Sequence, residues 1–173
     1  MQTMMKWLDR RFAYEAPAGE FPAILERLRG TPARVEEKAA RIRESVQLNK
    51  SGEDWSIQEH LGHLVDLEPL WARRTEELIR GSGELSAADM SNRATRERNH
   101  NARAIAAIVA EFRVARCDWV ARLEACTEAD VSRTSIHPRL KRPFRLIDLC
   151  FFVAEHDDHH LAIVTQLARA LPR

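Results

Sequence analysis

The sequence predicts an all-α protein, a four-helix bundle whose helices are not joined simply up and down. Long stretches carry apolar residues at spacings of three and four, which is the period of a helix, while strand patterns are almost absent. Two long polar connections, around residues 81–100 and 127–144, separate the later helical stretches. Long connections allow a helix to cross the bundle instead of lying beside its predecessor.

The first third of the chain predicts an irregular lead-in over residues 1–20, followed by a short helix that Gly30 is expected to break. The first long helix should then cover residues 31–48. Thr31 can serve as its cap, and Pro32 takes the first helical position, where a missing N–H costs nothing.

The second helix has clear signals at both ends. Ser56 and Glu59 form a capping box, in which each side chain satisfies the other residue's free backbone amide. Pro69 falls inside the helical pattern and removes one hydrogen bond, so a kink or a break is expected just before it. Gly81 should end the helix.

The third long helix is predicted to begin at residue 94 or 101 and to end near residue 126. The segment 127–144 is expected to be a loop with a basic tip, and the fourth helix to cover residues 145–171. The apolar face of the third helix fits a bundle interior. This face carries Ile105, Ile108, Val109, Phe112, Ala115, Trp119, Val120 and Leu123.

Composition limits the function. At 173 residues the chain fits one domain, 1–173, and its net charge of +1 gives no reason to expect nucleic acid or an anionic membrane as partner. The N-terminal residues lack a continuous apolar stretch, and no run reaches the length of a membrane span, so we expect a soluble protein that is not exported. Cys117, Cys126 and Cys150 are far apart and are expected to be small core residues, which suggests a reduced, cytoplasmic setting.

The stretch VAEHDDHHLAIV in the fourth helix interrupts an apolar stripe with polar residues. His156 and His160 lie one turn apart on the buried face, His159 lies on its flank, and Asp158 points to solvent. Two imidazoles at this spacing can bind one metal ion. The alternative is a pair of core histidines satisfied by hydrogen bonds.

A third ligand is expected from the second helix, in QEHLGHLVDLE. Periodicity slightly favours His60 over His63 for burial and does not separate the two. Asp66 lies one turn beyond His63. It could accept a hydrogen bond from a ligating imidazole, act as a base, or be a solvated helix acid.

Two motifs carry a resemblance to a known family. WSIQEHLGHLVDLE, followed about 90 residues later by HPRLKRPFRLIDLCFFVAEHDDHHLAIV, resembles the DinB-like superfamily of metal-dependent enzymes over residues 20–170. The resemblance implies His63, His156 and His160 as the metal ligands and makes His60 a neighbour of the site or a core residue. It also implies an atypical connection between the second and third helices and suggests a homodimer.

Three neutral imidazoles leave a coordination position open for water or a substrate atom. Zinc is the first choice of divalent ion, and nickel, iron or manganese would also accept these ligands. The resemblance is compatible with a hydrolase and with a transferase or isomerase that uses a low-molecular-weight thiol, each acting on a small molecule. The alternatives are a non-catalytic metal- or ligand-binding stress-response module, and a bundle that works through its dimer surface. The titratable neighbours that could serve as a base are Asp66, Glu155, Asp157 and His159, although each fits a surface or supporting role better.

Further residues could border the site. His137 opens the basic loop, which could lie at the mouth of the bundle and attract an anionic substrate or thiol cofactor, or could simply be solvated. His100 could cap or line the start of the third helix. Three tryptophans are expected in the core or, for one of them, in a pocket wall. The basic residues of the loop are Arg139, Lys141, Arg142 and Arg145, and the tryptophans are Trp55, Trp71 and Trp119.

Overall fold

Four long helices make up most of the structure, a computed structural model that describes residues 4–48, 50 and 55–170. The long helices are α1 (Phe21–Arg41), α3 (Ile57–Arg80), α5 (Ile105–Glu124) and α7 (Leu146–Ala170). Three short helices connect them, namely α2 (Glu44–Gln47), α4 (Arg93–Glu97) and α6 (Glu128–Ser132). Turns of 3₁₀ helix occur at Trp7–Asp9, Ala18–Glu20 and His100–Ala102. The first three residues of the lead-in and the predicted end of the fourth helix at residue 171 lie outside the described residues.

The order of the helices around the bundle confirms that the connectivity is not simply up and down. The main helix contacts are α1 with α5, α5 with α3, α3 with α7, and α7 with α1. Consequently α1 lies diagonally opposite α3, and α5 lies diagonally opposite α7. The chain therefore crosses the bundle twice between consecutive long helices, whereas in a simple up-and-down bundle consecutive helices are neighbours.

The predicted break at Gly30 is wrong, because α1 runs without interruption from Phe21 to Arg41 and ends before residue 48. Thr31 and Pro32 lie inside this helix and are buried. Packing of the apolar face outweighs one glycine, which costs about 1 kcal/mol, and one missing N–H donor. The helix α3 also continues past Pro69, which excludes a break there.

Both ends of α3 match the prediction. The Ser56 hydroxyl accepts a hydrogen bond from the Glu59 amide, and the Glu59 carboxylate accepts one from the Ser56 amide. Gly81 closes the helix in the left-handed conformation, with φ of 71°. The predicted third helix is divided, because α4 and the turn at His100–Ala102 precede α5.

The segment predicted as a loop at 127–144 contains regular structure. After α6, strand β1 (Thr134–Ile136) pairs in antiparallel fashion with β2 (Pro143–Arg145), and Ser135 faces Phe144 across the ladder. Only three residues contribute on each side, so no alternating pattern marks the hairpin in the sequence. No helix in the described ranges is long and apolar enough to cross a membrane.

The apolar core forms two clusters with a polar layer between them. One cluster contains Leu28, Leu78 and Leu123, and the other contains Val35, Leu61 and Ile108. Between the clusters, each long helix contributes one buried polar side chain. These side chains are Thr31 of α1, Glu68 of α3, Arg116 of α5 and Asp157 of α7.

Arg116 is the centre of this polar layer. Its Nη2 donates to Glu68 Oε1 at 2.6 Å and to Asp157 Oδ1 at 3.2 Å, and the Thr31 hydroxyl donates to Asp157 Oδ2 at 2.9 Å. Burial raises the pKa of Glu68, against the effect of Arg116. The contacts join all four long helices at one level of the bundle.

Gly62 allows a close contact between α3 and the segment that follows α4. A Cβ atom at this position would lie 2.2 Å from Cγ of His100, a fully buried ring. Gly30, by contrast, has no atom within 4 Å of an added Cβ. The same substitution should therefore have opposite effects at these two helical glycines.

We predict that Gly62→Ala lowers the free energy of unfolding by about 2 kcal/mol, because the steric clash exceeds the gain in helix propensity. Gly30→Ala should raise the free energy of unfolding by up to about 1 kcal/mol. Urea unfolding of both variants measures the two values. Equal stabilisation by the two substitutions would contradict the tight contact with His100.

Candidate metal centre

Three histidines from two helices meet inside the bundle. His63 comes from α3, while His156 and His160 lie one turn apart on α7, and one ring nitrogen from each lies within 4.8 Å of the others. Nε2 of His156 is 3.1 Å from Nε2 of His160. All three side chains are buried. The structure thus brings together the three residues that the sequence predicts as ligands.

Burial keeps these imidazoles neutral. The pKa of His63 is lowered from 6.5 to about 4, with burial as the largest cause; Asp66 opposes this shift, and His60 and His100 add to it. Burial, followed by the adjacent imidazoles, lowers the pKa of His156 and of His160 well below 6.5. At pH 7 each ring therefore keeps a lone pair on one nitrogen, which metal binding requires.

A chain of hydrogen bonds fixes the orientation of His63. Its Nδ1 lies 3.0 Å from the Thr95 hydroxyl, which is also hydrogen-bonded to the Asp66 carboxylate. An ionised carboxylate only accepts, so the hydroxyl donates to Asp66 and accepts from the protonated Nδ1 of His63. Nε2 of His63 is then the nitrogen with the lone pair.

The same chain continues to His100. Asp66 Oδ2 lies 2.9 Å from His100 Nε2, and Arg103 Nη1 lies 3.3 Å from His100 Nδ1. Because the guanidinium can only donate, Nε2 of His100 carries the proton and donates to Asp66. His100 is fully buried against α3, so it supports Asp66 and does not cap α5.

His60 neighbours the three histidines. Its Nδ1 lies 2.9 Å from Nδ1 of His160, so the two rings share a hydrogen bond. Nδ1 of His156, by contrast, is buried and has no hydrogen-bond partner in the described part of the protein. An unsatisfied buried polar atom of this kind costs about 1 to 3 kcal/mol.

The histidines form part of the wall of a cavity of about 920 Å³. Trp55, Trp71 and Phe152 contribute aromatic surface, and the lead-in covers another side with residues 4–8. The Trp7 ring packs edge-on against His156, with ring centroids 5.0 Å apart. Trp119 lies in the core and donates from Nε1 to the Thr75 hydroxyl at 2.8 Å.

Only one of the four predicted titratable neighbours lines the cavity. His159 does so, and burial, followed by the charge of Arg10, lowers its pKa. Asp66 reaches the site only through Thr95. Glu155 pairs with Arg10 and Arg27. Of the surface and supporting roles expected for Asp157, the surface role does not apply, because Arg116 holds this residue in the polar layer.

The basic loop is mostly engaged with the protein itself. Lys141 pairs with Glu84, Arg145 pairs with Asp148, and Arg142 donates to the Ala13 carbonyl. His137 and Arg139 line the cavity, as expected for a loop at the mouth of the bundle. Among the cysteines, Cys150 is buried, Cys126 is half-buried and Cys117 is exposed, so the prediction of a core position is wrong for Cys117.

Three residues of the site have little or no signal in the sequence. Thr95 comes from a five-residue helix without periodicity. Arg74 belongs to the ordinary charged composition of α3. Trp7 could have been noticed, because the irregular lead-in also carries Phe12 and Tyr14 within eight residues.

Comparison with known proteins agrees with this arrangement. In structure, the chain is similar to YfiT from Bacillus subtilis, described as a probable metal-dependent hydrolase with an unusual four-helix bundle topology. The TM-score is 0.78 at 20% sequence identity, and the similarity covers 93% of each chain. No curated protein matches the sequence.

The family model of the DinB superfamily matches residues 27–164, which include α3, α5 and all three converging histidines. The match extends over most of the sequence, and the helix order agrees with the similar structure. The chain therefore belongs to the DinB superfamily.

Proposed function

We propose that this protein is a metal-dependent hydrolase of a small molecule, with His63, His156 and His160 as the ligands of one divalent ion. The observation that carries the proposal is the convergence of three buried, neutral imidazoles on the wall of a large cavity. Such a cavity is the usual form of a small-molecule site.

The residues fit a metal ion. Two ligands of a tetrahedral zinc ion stand about 3.3 Å apart, and the Nε2 atoms of His156 and His160 are separated by 3.1 Å. Imidazole ligands suit zinc first, with nickel, iron and manganese as alternatives.

When bound, a divalent ion supplies Lewis-acid chemistry, which polarises a scissile carbonyl and makes water a stronger nucleophile. Thr95 and Asp66 hold the Nε2 lone pair of His63 toward the cavity. His159 is the titratable neighbour with access to the cavity, so its neutral ring is our candidate to accept a proton from water. The aromatic walls offer apolar contact surface to a substrate.

A thiol-dependent transferase is the second candidate function. The cavity volume of about 920 Å³ lies near the upper end of the range for small-molecule sites, which leaves room for a low-molecular-weight thiol beside an electrophile. The same histidines would bind the metal. The homodimer and the cytoplasmic location suggested by the sequence stay predictions.

Metal content tests the ligand set. Untagged protein dialysed against zinc should hold about one equivalent, because three imidazoles form a complete open site. His63→Ala, His156→Ala and His160→Ala should each lose most of it, whereas His159→Ala should retain it. Elemental analysis measures the content. If wild-type protein holds less than a tenth of an equivalent of metal after dialysis against zinc, nickel and manganese in turn, the proposed site does not exist.

Loss of zinc in His60→Ala with full retention in His63→Ala would mean that the ligand from α3 is misassigned.

Activity is measured separately, on panels of esters and amides and on thiol-plus-electrophile pairs. The hydrolase proposal predicts turnover of an ester or amide without thiol, and a fall in kcat/KM of about a hundredfold or more in His156→Ala. Turnover only with a thiol would favour the transferase, and metal binding without any turnover would favour a binding module.

Thr95 offers a test of ligand orientation. Thr95→Val keeps the shape of the side chain but removes the acceptor for His63 and the donor to Asp66. We expect zinc affinity to fall about 10- to 100-fold, as is typical for residues that orient a ligand. Thr95→Ser is the control, since it retains the hydroxyl. Competition with a chelator measures the zinc affinity of both variants. A zinc affinity of Thr95→Val within threefold of that of wild type would contradict this role.

The stability of the metal-free protein should depend on pH through His63. The folded pKa of about 4 lies below the unfolded value of 6.5, so between these values only the unfolded chain takes up the proton. Stability is therefore lost as pH falls from 6.5 toward 4 and is unaffected by this group above 6.5. His63 should contribute about 2 kcal/mol less at pH 5 than at pH 7.5.

Urea unfolding of wild type and of His63→Gln over this range measures that contribution. The difference between the two proteins removes the effects of other groups, including His137, whose pKa is also lowered to about 4 by burial. Parallel pH profiles would show that His63 is not neutral in the folded protein.

A further inference from the structure

Arg74 is a buried cation on the cavity wall without an acidic partner. The residue is 2% exposed and lines the cavity. Its Nε donates to the Ser86 carbonyl at 2.9 Å. The charge of Glu77, one turn further along α3, acts on Arg74 and opposes the lowering of its pKa, but the Glu77 carboxylate is bonded to the amide and hydroxyl of Ser86. Within the described ranges of the chain, Arg74 forms no ion pair.

Arg74 differs from Arg116, the buried arginine of α5, in lacking a carboxylate ion pair among the described residues. Arg116 is equally buried, and two carboxylates compensate its charge. Burial lowers the pKa of Arg74 to about 10. A buried charge is costly unless it is paired, so a site that keeps such a charge at a cavity wall is suited to a ligand that brings the opposite charge.

We propose that Arg74 binds a carboxylate group of the substrate, whose other end reaches the three histidines. This inference rests on the proposed function and names its substrate class. A guanidinium offers two parallel N–H donors that match the two oxygens of a carboxylate.

Trp71 connects the two ends of the site. Its ring centroid lies 6.2 Å from that of His156 and 5.8 Å from Cζ of Arg74, so the guanidinium carbon lies within about 12 Å of the His156 ring. Leu67 and Phe152 line the same cavity. His63 and Arg74 are eleven residues apart on α3, which is about 16 Å along the helix axis. The substrate should therefore be an elongated acid with an apolar or aromatic body and a hydrolysable group at the end away from its carboxylate.

The surroundings of Arg74 favour one negative charge over two. His137 is close enough for the charge of Arg74 to contribute to its lowered pKa, so its ring is neutral at pH 7. Its Nδ1 accepts from the amides of Arg139 and Leu140, both at 3.2 Å. The side chain of Arg139 is exposed. Among the described residues that line the cavity, Arg74 is the one charged side chain that is buried, and a single buried charge compensates a carboxylate better than a phosphate dianion.

Calorimetry with matched probes tests this proposal in metal-free protein, so that the probe cannot gain affinity by binding to zinc. The probes are 6-phenylhexanoate, its uncharged amide and 6-phenylhexyl phosphate. Wild type should bind the acid about 10- to 100-fold more tightly than the amide, as expected for a hydrogen bond to a charged group. The acid should also bind more tightly than the phosphate.

Two neighbouring arginines provide a matched pair of variants. Arg74→Met should lose the preference for the acid over the amide, while Arg73→Met, which removes an exposed charge from the same helix, should keep it. Thermal unfolding should show that Arg74→Met is folded, because replacing a buried unpaired charge by an apolar side chain is not expected to destabilise the protein. If Arg74→Met does not fold, Arg74→Lys should retain the preference in weakened form.

Three results would overturn the proposal: equal binding of acid and amide by wild type, an unchanged preference in Arg74→Met, or a phosphate bound tenfold more tightly than the acid. The same measurements on His156→Ala separate this inference from the metal site. If that variant and wild type both lack zinc but prefer the acid, the metal proposal fails and the carboxylate site stands. If zinc binds but wild type binds the acid no more tightly than the amide, the carboxylate proposal fails and the metal site stands.

Discussion

Arg116 is a cation without access to solvent, and the rest of the bundle is arranged around it. Its guanidinium joins Glu68 of α3 to Asp157 of α7, and Asp157 in turn accepts from Thr31 of α1. Removing Arg116 would leave two buried acids without their partner, and loss of the partner of a buried charge is among the most destabilising changes in a protein interior. The helices must therefore meet in the one rotation and register that completes these contacts.

This constraint also determines where the histidines point. Successive residues of a helix are about 100° apart, so when Asp157 faces Arg116, His156 is turned toward the neighbouring side of α7, where the cavity lies. His160 follows one turn later on that side. On α7 the polar layer and the histidines are thus adjacent, since Asp157 follows His156 directly and precedes His160 by less than one turn. A metal centre beside the most constrained part of the fold gains ligands that are held in place before binding.

Features that depend on a few adjacent residues are predictable from this sequence. Features that depend on tertiary packing are not. The capping box at Ser56, the glycine that ends α3 and the spacing of His156 and His160 each follow from a few adjacent residues, and the structure has all three. The uninterrupted α1 could not be predicted, because the burial of Thr31 against Asp157 depends on a residue more than 120 positions away. The central position of Arg116 could not be predicted either, because in the sequence it is only a charged residue beside an apolar stripe.

The candidate site shows the same division. The family resemblance identifies His63 as the metal ligand from α3, whereas periodicity alone slightly favours His60 for burial. Thr95, which holds His63, lies in a short connecting helix whose position depends on contacts of His100 with Gly62 and Asp66. No pattern within that helix announces such a role. Arg74 is likewise ordinary in sequence and becomes notable only because it is buried and forms no ion pair with any residue that the structure describes.

The distribution of tryptophans has a practical consequence. Of the four in the sequence, Trp7, Trp55 and Trp71 line the cavity, while Trp119 is in the core. Indole emission responds to the polarity and quenching groups around the ring, so three of the four tryptophans of this protein are placed to report on what occupies the cavity. The molecule thereby carries its own optical probe, and titration of an unlabelled compound can be followed by the light that the cavity itself emits.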